Sequence, residues 1–297
     1  MELYRSGKVK KVWIVDEKEF EFEFTDNISV FDKVIPTQIP HKGESLNRTA
    51  TYWFERCEDL GIKTHYLSTP SATRMRVKRV RVIPDYSKLD TGTTNYLIPL
   101  EVIARYYVAG SFLDRLKKNP GMAEEYGIDE IRYGVKLKEP LVEFTTKLEE
   151  HDRLITEDEA KKIAGLRDSE LEEITEAVLR IDGHINGEVE KRGLIHVDGK
   201  KEFAFDENRE LMIVDTFATA DEDRWWDAGE YSRGNLRELS KEFVRRYYRE
   251  SGYHEKLMEA REKGLPEPEI PPLPEDVAAR VSEIYINMYE RLTGQKW

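Results

Sequence analysis

Residues 19–24 read Glu-Phe-Glu-Phe-Glu-Phe. A period of two sets Phe20, Phe22 and Phe24 on one face and Glu19, Glu21 and Glu23 on the other, the pattern of a half-buried strand. A lone strand or hairpin is marginal in water, so this one demands neighbours. The short β-branched stretch from Val9 to Val15 is one. Arg74 to Ile83 is another, but Met75 and Val77 hold odd positions while Val80 and Val82 hold even ones. One strand cannot keep a single apolar face through that change, so a bulge or kink is expected near Lys78-Arg79.

Between these strands the chain turns at Asp26-Asn27 and runs through a loop marked by Pro36, Pro40 and Gly43. Ser45 opens a helix on which Leu46, Ala50, Trp53, Phe54, Cys57 and Leu60 recur at helical spacing, with Gly61 as its stop. Cys57 reads there as a small buried residue. Residues 85–95 are polar and turn-like, and Leu97 to Val108 reads as a buried strand, with helix left open by periodicity alone. Gly110-Ser111 start a short helix carrying Arg115.

The second half is more helical. Thr156 and Glu159 fit a capping box, and Leu171, Ile174, Val178 and Ile181 keep the helical period, with irregularities expected at Gly183 and Gly187. Ile195 to Phe205 and Leu211 to Val214 pair around the turn Asp206-Glu207-Asn208. Leu236, Leu239, Phe243 and Tyr247 form a further amphipathic helix. The prolines between 266 and 274 form a stiff linker, and the last helix buries Val277, Val281, Ile284, Tyr285 and Met288. The class is α+β, with a strand-rich front and a helix-rich back.

Composition narrows the function. The 297 residues carry 47 Lys+Arg against 59 Asp+Glu, a formal charge of -12, which excludes a nucleic-acid partner because such binding depends on phosphate neutralisation. Small anionic ligands are compatible with an acidic molecule that holds a local cationic pocket. A single cysteine rules out an internal disulfide and a cysteine zinc site, consistent with a cytoplasmic protein. No stretch approaches the roughly 18 apolar residues of a membrane span, and the start lacks a signal-peptide core. Dense charge of both signs resembles thermophile surfaces, for which a melting midpoint above about 60 °C is expected. There is no His-Glu-x-x-His, no Gly-x-Ser-x-Gly and no Gly-x-Gly-x-x-Gly.

Four constellations remain. Gly7-Lys8-Val9-Lys10-Lys11 can let a phosphate approach the backbone, or be a solvated basic edge. Glu101 and Arg105 share a face of an apolar strand-like run, followed by Ser111 and Arg115. They form either an anion pocket or a structural ion pair. Lys200 and Glu202 share a face by parity, and Asp215 on the next strand can converge with Glu202 on one cation; the alternative is a charged hairpin surface. Arg224 sits in the acidic run Asp221 to Asp227 with Trp225 and Trp226, either as an anion ligand against an aromatic wall or in an anchored helix-entry loop.

In this order the constellations resemble the SAICAR synthetase family. Its opening Tyr-x-Gly-Lys-x-Lys is similar to Tyr4 to Lys10, with Ser6 inserted. Asp26 to Ser29, Lys42 to Asn47 and Gly61 to Thr64 follow the family's next elements. The most specific match runs from Pro99-Leu100-Glu101-Val102 to Arg105, through Ala109-Gly110-Ser111, to Arg115. Thr146-Lys147 and His151-Asp152 resemble its Lys-Asn-Asp…His-Asp segment. Asp198 to Phe203 resembles Asp-Phe-Lys-x-Glu-Phe, and Asp215 to Asp227 resembles Asp-Glu-x-x-Thr-Pro-Asp…Arg-x-Trp-Asp. The chain departs at Gly199 for Phe, Thr216 for Glu, Ala220 for Pro, and in an apparent insertion at 84–95, which marks a divergent member.

The resemblance implies a two-domain fold, strand-rich 1–98 and α+β 99–297, with an ATP cleft between. It implies ATP-dependent joining of carboxyaminoimidazole ribotide and L-aspartate into SAICAR, with Mg2+, in a self-associating enzyme. It assigns Lys8, Lys10 and Lys78 to ATP, and Glu202 and Asp215 to magnesium. Lys200 and Asp215 take catalytic roles. Glu101, Arg105, Ser111 and Arg224 go to the ribotide, and Lys147 and Asp152 to aspartate. Two alternatives stay open: a paralogous ATP-dependent carboxylate–amine ligase with another substrate, and a non-catalytic purine-nucleotide-binding protein.

Overall fold

The computed structural model describes residues 1–236, 238–239 and 241–297. Strands β1 (Glu2–Ser6), β2 (Lys10–Ile14) and β3 (Glu19–Phe24) are followed by the two-residue strands β4 (Ser29–Val30) and β5 (Lys33–Val34). Helix α1 (Lys42–Asp59) and strands β6 (Tyr66–Ser71) and β7 (Arg74–Lys78) complete the front, whose antiparallel sheet has the order β1-β2-β3-β7-β6. The phenylalanines of β3 are buried as the alternation requires. Its other face is not simply wet. Arg76 and Arg74 lie opposite Glu21 and Glu23 on β7, and the Glu21 carboxylate accepts from Arg74 at 2.5 Å and Arg76 at 2.7 Å, which leaves Glu21 buried. Opposite charges facing across strands reinforce the register.

Helix α1 begins at Lys42, ahead of Ser45, because Asp26 Oδ1 accepts from the Gly43 N–H at 2.9 Å and satisfies an orphan donor of the first turn. A Cβ on Gly43 would lie 2.7 Å from the Phe24 carbonyl oxygen, so glycine permits this close seat on β3.

The phase break near Lys78-Arg79, expected as a bulge or kink, is the end of the strand. Strand β7 ends at Lys78, and Val80 and Val82 then pack on Leu97, Ala204, Met212 and Val214 of the second sheet. The change of phase marks the handover of the chain from one sheet to the other.

Strands β8 (Tyr96–Leu97) and β9 (Leu100–Tyr107) open the second half, followed by helices α2 (Gly110–Lys118) and α3 (Met122–Glu125). Next come β10 (Lys136–Thr146), β11 (Leu154–Ile155), α4 (Glu157–Ala164), α5 (Asp168–Glu190), β12 (Leu194–Phe205), β13 (Leu211–Val214), β14 (Arg224–Asp227) and α6 (Ala228–Ser232). The second sheet runs β11-β10-β9-β12-β13, with β8 and β14 also paired to the long β12. The run from Leu97 is thus strand rather than helix, broken at Ile98-Pro99 between β8 and β9, and the hairpin around 206–208 forms with Glu202 opposite Val214. Thr156 Oγ1 caps α4 by accepting from the Glu159 N–H, but the Glu159 side chain pairs with Arg153 at 2.8 Å and leaves the capping box half-built. Helix α5 runs unbroken through Gly183 and Gly187, contrary to expectation, because Leu171, Ile174, Val178, Ile181, Ile185 and Val189 anchor it on both sides of them.

Helices α7 (Glu242–Glu250), α8 (Tyr253–Glu262) and α9 (Glu275–Thr293) end the chain. The helix expected from Leu236 starts only at Glu242; that expectation also spans residues 237 and 240, which lie outside the described residues. The proline stretch is no free linker. Ile270 and Leu273 are buried, and Tyr248 and Tyr253 donate to the carbonyls of Pro271 and Pro268 at 2.6 and 3.2 Å. It carries the chain to α9, which lies against α1, where Ser45 donates to the Tyr285 carbonyl at 2.7 Å. None of the helices is long and apolar enough to cross a membrane, among the described residues.

Candidate functional site

The site is built on one face of β12 and its neighbours. Side chains alternate along a strand, so Asp198, Lys200 and Glu202 point one way. Arg105 lies opposite Asp198 on β9, which puts Arg105 and Glu101 on that same face. Arg224 lies opposite Asp198 from the other side, on β14. The Asp198 carboxylate therefore sits between two guanidinium groups, 3.2 Å from Arg105 Nη1 and 2.6 Å from Arg224 Nη1. Arg105 Nε also donates to Glu143 at 2.6 Å, and its Nη2 reaches Ser111 Oγ at 3.5 Å. Gly110 has a φ of 50°, and a Cβ there would lie 2.8 Å from Arg224 Nη2, so glycine leaves the room this arginine fills.

Farther along the face, Lys200 Nζ lies 2.6 Å from Glu101 and 3.0 Å from Glu202, and Lys147 Nζ lies 2.5 Å from Glu202. Asp215 is one residue past the end of β13, not on it, and its left-handed φ of 57° turns the carboxylate toward Lys10, with which it pairs. The Thr216 N–H donates to the same Asp215 oxygen at 2.8 Å. Lys10, Lys147, Lys200, Glu202 and Asp215 line a cavity of about 310 Å³. Gly7, Lys8, Lys10, His65 and Lys78 close it from the front sheet, and Lys147, Lys200, Glu202, Asp215 and Glu222 from the rear. Val12, Phe22, Val77, Val80 and Leu97 supply apolar wall.

Electrostatics keep the cavity charged. Burial alone would lower the Lys200 pKa, but Glu202, Glu222 and Glu101 outweigh it and push it up. Lys147 is likewise raised against burial, by Glu202 and Asp215. Burial would raise Asp215, yet Lys10, Lys147 and Lys200 hold it well below the ordinary carboxylate range. Burial takes His65 down to about 3, so its ring is neutral.

A second, larger cavity of about 1040 Å³ begins at Arg224 and Gly110. Arg245, Arg246 and Arg249 of α7 and Arg280 of α9 line it, with Phe31 and Phe243. The structure thus distributes the expected residues over two places. Lys8, Lys10, Lys78, Lys147, Lys200, Glu202 and Asp215 share the first cavity, and Arg224, with Arg105 and Ser111 beside it, marks the edge of the second. Glu101 joins the first group through its ion pair with Lys200. Asp152 is exposed and lines neither, apart from Lys147 with which it was grouped.

Several residues were not legible as site residues. The arginines of α7 and α9 come from segments readable only as amphipathic helices. Lys42 is fully buried, with its ammonium 2.8 Å from Asp221, which also takes Lys241 at 3.1 Å and Tyr285 at 2.5 Å. On the reverse face of β12, Lys201 is enclosed between Asp182 at 2.5 Å and Asp223 at 3.2 Å, and His196 Nε2 lies 2.8 Å from Asp223. A Cβ on Gly199 would fall 2.0 Å from the Asp223 carboxylate, so that carboxylate occupies the space where the family pattern has phenylalanine.

Comparison with known proteins follows the same outline. Residues 3–260 match the model of the SAICAR synthetase family. The phosphoribosylaminoimidazole-succinocarboxamide synthases of Thermoplasma volcanium and Thermoplasma acidophilum are 51% and 52% identical over 298 residues, covering 100% of both chains in each case. Among solved structures, a type-2 SAICAR synthetase in complex with ADP is 28% identical with a TM-score of 0.70, covering 100% of this chain and 99% of that one. The Saccharomyces cerevisiae SAICAR synthase, solved with SAICAR, shares the fold at a TM-score of 0.78 and 24% identity, over 99% and 95% of the two chains.

Proposed function

Because this chain belongs to the SAICAR synthetase family, we propose that its two cavities divide the work of one ATP-dependent condensation. The enzyme joins carboxyaminoimidazole ribotide to L-aspartate and forms SAICAR, ADP and phosphate, a step of purine biosynthesis. The observation that carries the division of labour is that one face of the second sheet, across β9 and β12, carries both clusters. Lys200 pairs with Glu101 and Glu202 at one end of that face, and Asp198 sits between Arg105 and Arg224 at the other.

The chemistry explains the residue types. A carboxylate is a poor electrophile, so ATP phosphorylates it and supplies a leaving group. Charge spreads over the transferring phosphoryl oxygens, and cations placed in advance stabilise it without reorganisation. Lys8, Lys10 and Lys78 take the ATP phosphates, and the ADP complex of a relative supports a nucleotide in this fold. Lys200 lines the first cavity between Glu101 and Glu202, suited to the transferring phosphoryl and the acyl phosphate. Arg105, Arg224 and Ser111 hold the ribotide phosphate, with Glu101 beside them. The aspartate amine then attacks the acyl carbon, the C–N bond forms, the C–O bond to phosphate breaks, and the amine gives up protons. The arginine-lined cavity at Arg224 suits the two carboxylates of aspartate better than exposed Asp152 does, while Lys147 stays with Glu202.

Glu202 and Asp215 offer only oxygen donors, the set a hard cation such as Mg2+ takes, and they fit it. When bound, the ion would neutralise phosphate charge. Division into lobes 1–98 and 99–297, a cytoplasmic setting and self-association belong to the same proposal; light scattering that shows only monomer would reject the last. Sustained ADP release, followed in a coupled assay over a panel of acids and amines, tests the whole. The proposal requires both carboxyaminoimidazole ribotide and aspartate. Release with other pairs would favour the paralogous ligase, and tight ATP binding without turnover a regulatory protein.

A further inference from the structure

The segment between β13 and β14 begins with Asp215 and holds two left-handed residues that are not glycine, Asp215 at a φ of 57° and Ala218 at 53°. That conformation is sparsely populated outside glycine, and where it persists the surroundings enforce it. Asp215 supplies part of its own restraint, since its Oδ1 accepts from the Thr216 N–H at 2.8 Å, the kind of local bond that lets aspartate sit there. Alanine has no side-chain group for such a bond. Its restraint comes from α1, where the Trp53 indole Nε1 donates to the Ala218 carbonyl at 3.1 Å, with both residues buried. Phe54, the next residue of α1, meets Phe217 edge to face, with ring centroids 5.3 Å apart. Lys42, at the start of the same helix, takes Asp221 at 2.8 Å. One helix thus grips residues 217, 218 and 221, while Trp225 Nε1 donates to the Thr219 carbonyl at 2.9 Å from the β14 side.

We propose that Trp53 is a positioning residue for the condensation: its indole N–H keeps Ala218 left-handed, and the turn so fixed keeps the Asp215 carboxylate against Lys10 in the first cavity. Trp53 lines neither cavity and acts only through this segment. This rests on reading the first cavity as the ATP site with Asp215 in a catalytic role.

The test follows ADP release by the full-length enzyme with ATP, carboxyaminoimidazole ribotide and aspartate. Trp53→Phe removes the N–H and keeps an aromatic ring, and kcat falls about 10–100-fold, the scale of a small misplacement caused from outside the site. The ribotide KM, set on the sheet by Arg105 and Arg224, stays at its wild-type value. Adding Ala218→Gly restores most of kcat, because glycine takes a positive φ as readily as a negative one. A variant that had only lost stability would not regain kcat from a more flexible backbone. Benzothiophene in place of the Trp53 indole keeps the bicyclic shape without the N–H and gives the same fall, which covers the case of a phenylalanine that packs poorly. Wild-type kcat in either protein, alongside lost turnover in Asp215→Asn, overturns the inference and leaves the reading of the cavity standing. A fall that Ala218→Gly does not repair, or a ribotide KM that rises in step with it, also overturns the inference. Wild-type turnover in Asp215→Asn overturns the reading of the cavity, and this inference with it.

Discussion

Lys201→Met removes the lysine from a cluster of side chains with no access to water. Lys201, Asp182 and Asp223 have side chains that are 0% exposed, and the ammonium lies 2.5 Å and 3.2 Å from the two carboxylates. Methionine nearly conserves the volume, so the loss is electrostatic. Breaking a buried ion pair by removing one partner costs about 3–5 kcal/mol, because the other charge stays buried and uncompensated. At about 2–4 °C per kcal/mol for a chain of this order of size, the melting midpoint falls by roughly 6–20 °C. The pH dependence has a definite sign. The stranded carboxylates acquire folded pKa values above their unfolded ones, so the penalty is present above the unfolded values near 4 and shrinks as pH falls toward them. Calorimetry of both proteins at pH 7 and near pH 4.5 reads both effects. Adding Asp223→Asn to Lys201→Met lessens the damage, since one stranded charge is gone. A loss under about 1 kcal/mol at pH 7, independent of pH, would refute the reasoning and make the cluster no more than a weak surface-like pair.

Gly199→Ala forces a Cβ to within 2.0 Å of the Asp223 carboxylate and costs at least about 1–3 kcal/mol; denaturant melts give the figure, which shrinks in an Asp223→Ala background. Arg224→Gln removes a charge-assisted contact and raises the ribotide KM about 10–100-fold, in line with about 1.5–3 kcal/mol for such a bond; steady-state kinetics with an unchanged KM would take Arg224 off the phosphate. His65 binds its proton at about 3 when folded and near 6.5 when unfolded, so stability is full above about 6.5 and declines as pH falls toward 3. That one proton contributes a slope of about 1.4 kcal/mol per pH unit. Urea unfolding from pH 7 to 4.5 shows the slope reduced by about that amount in His65→Gln.

Parity made the heart of the site legible. Glu101 with Arg105, and Lys200 with Glu202, share a face because alternation along a strand is a local property. What the linear pattern cannot carry is where a strand changes partner. The phase shift after Val77 resembled a bulge but is the exit from one sheet toward another. Asp215 resembled a strand residue because its left-handed turn is a conformation that carries no glycine signal. The run Asp221 to Asp227 read as an anion ligand against an aromatic wall or an anchored helix-entry loop, yet Asp221 goes to Lys42 and Asp223 to Lys201, both contributed from far along the chain, while Glu222 takes the hydroxyl of nearby Thr216. The arginines of α7 and α9 meet Arg224 only through tertiary packing, and the proline stretch that brings α9 back looked like a spacer for the same reason.

The central claim is that the carboxylate is activated by phosphoryl transfer in the cleft between the lysine cavity and the arginine cluster. Carboxyaminoimidazole ribotide labelled with 18O in its carboxylate tests it most directly, with mass spectrometry of the phosphate released during SAICAR formation. An acyl phosphate carries one carboxylate oxygen away as its leaving group, so the account predicts one 18O atom in each phosphate formed from fully labelled ribotide. Phosphate free of label, with all the 18O left in SAICAR or in water, would contradict it.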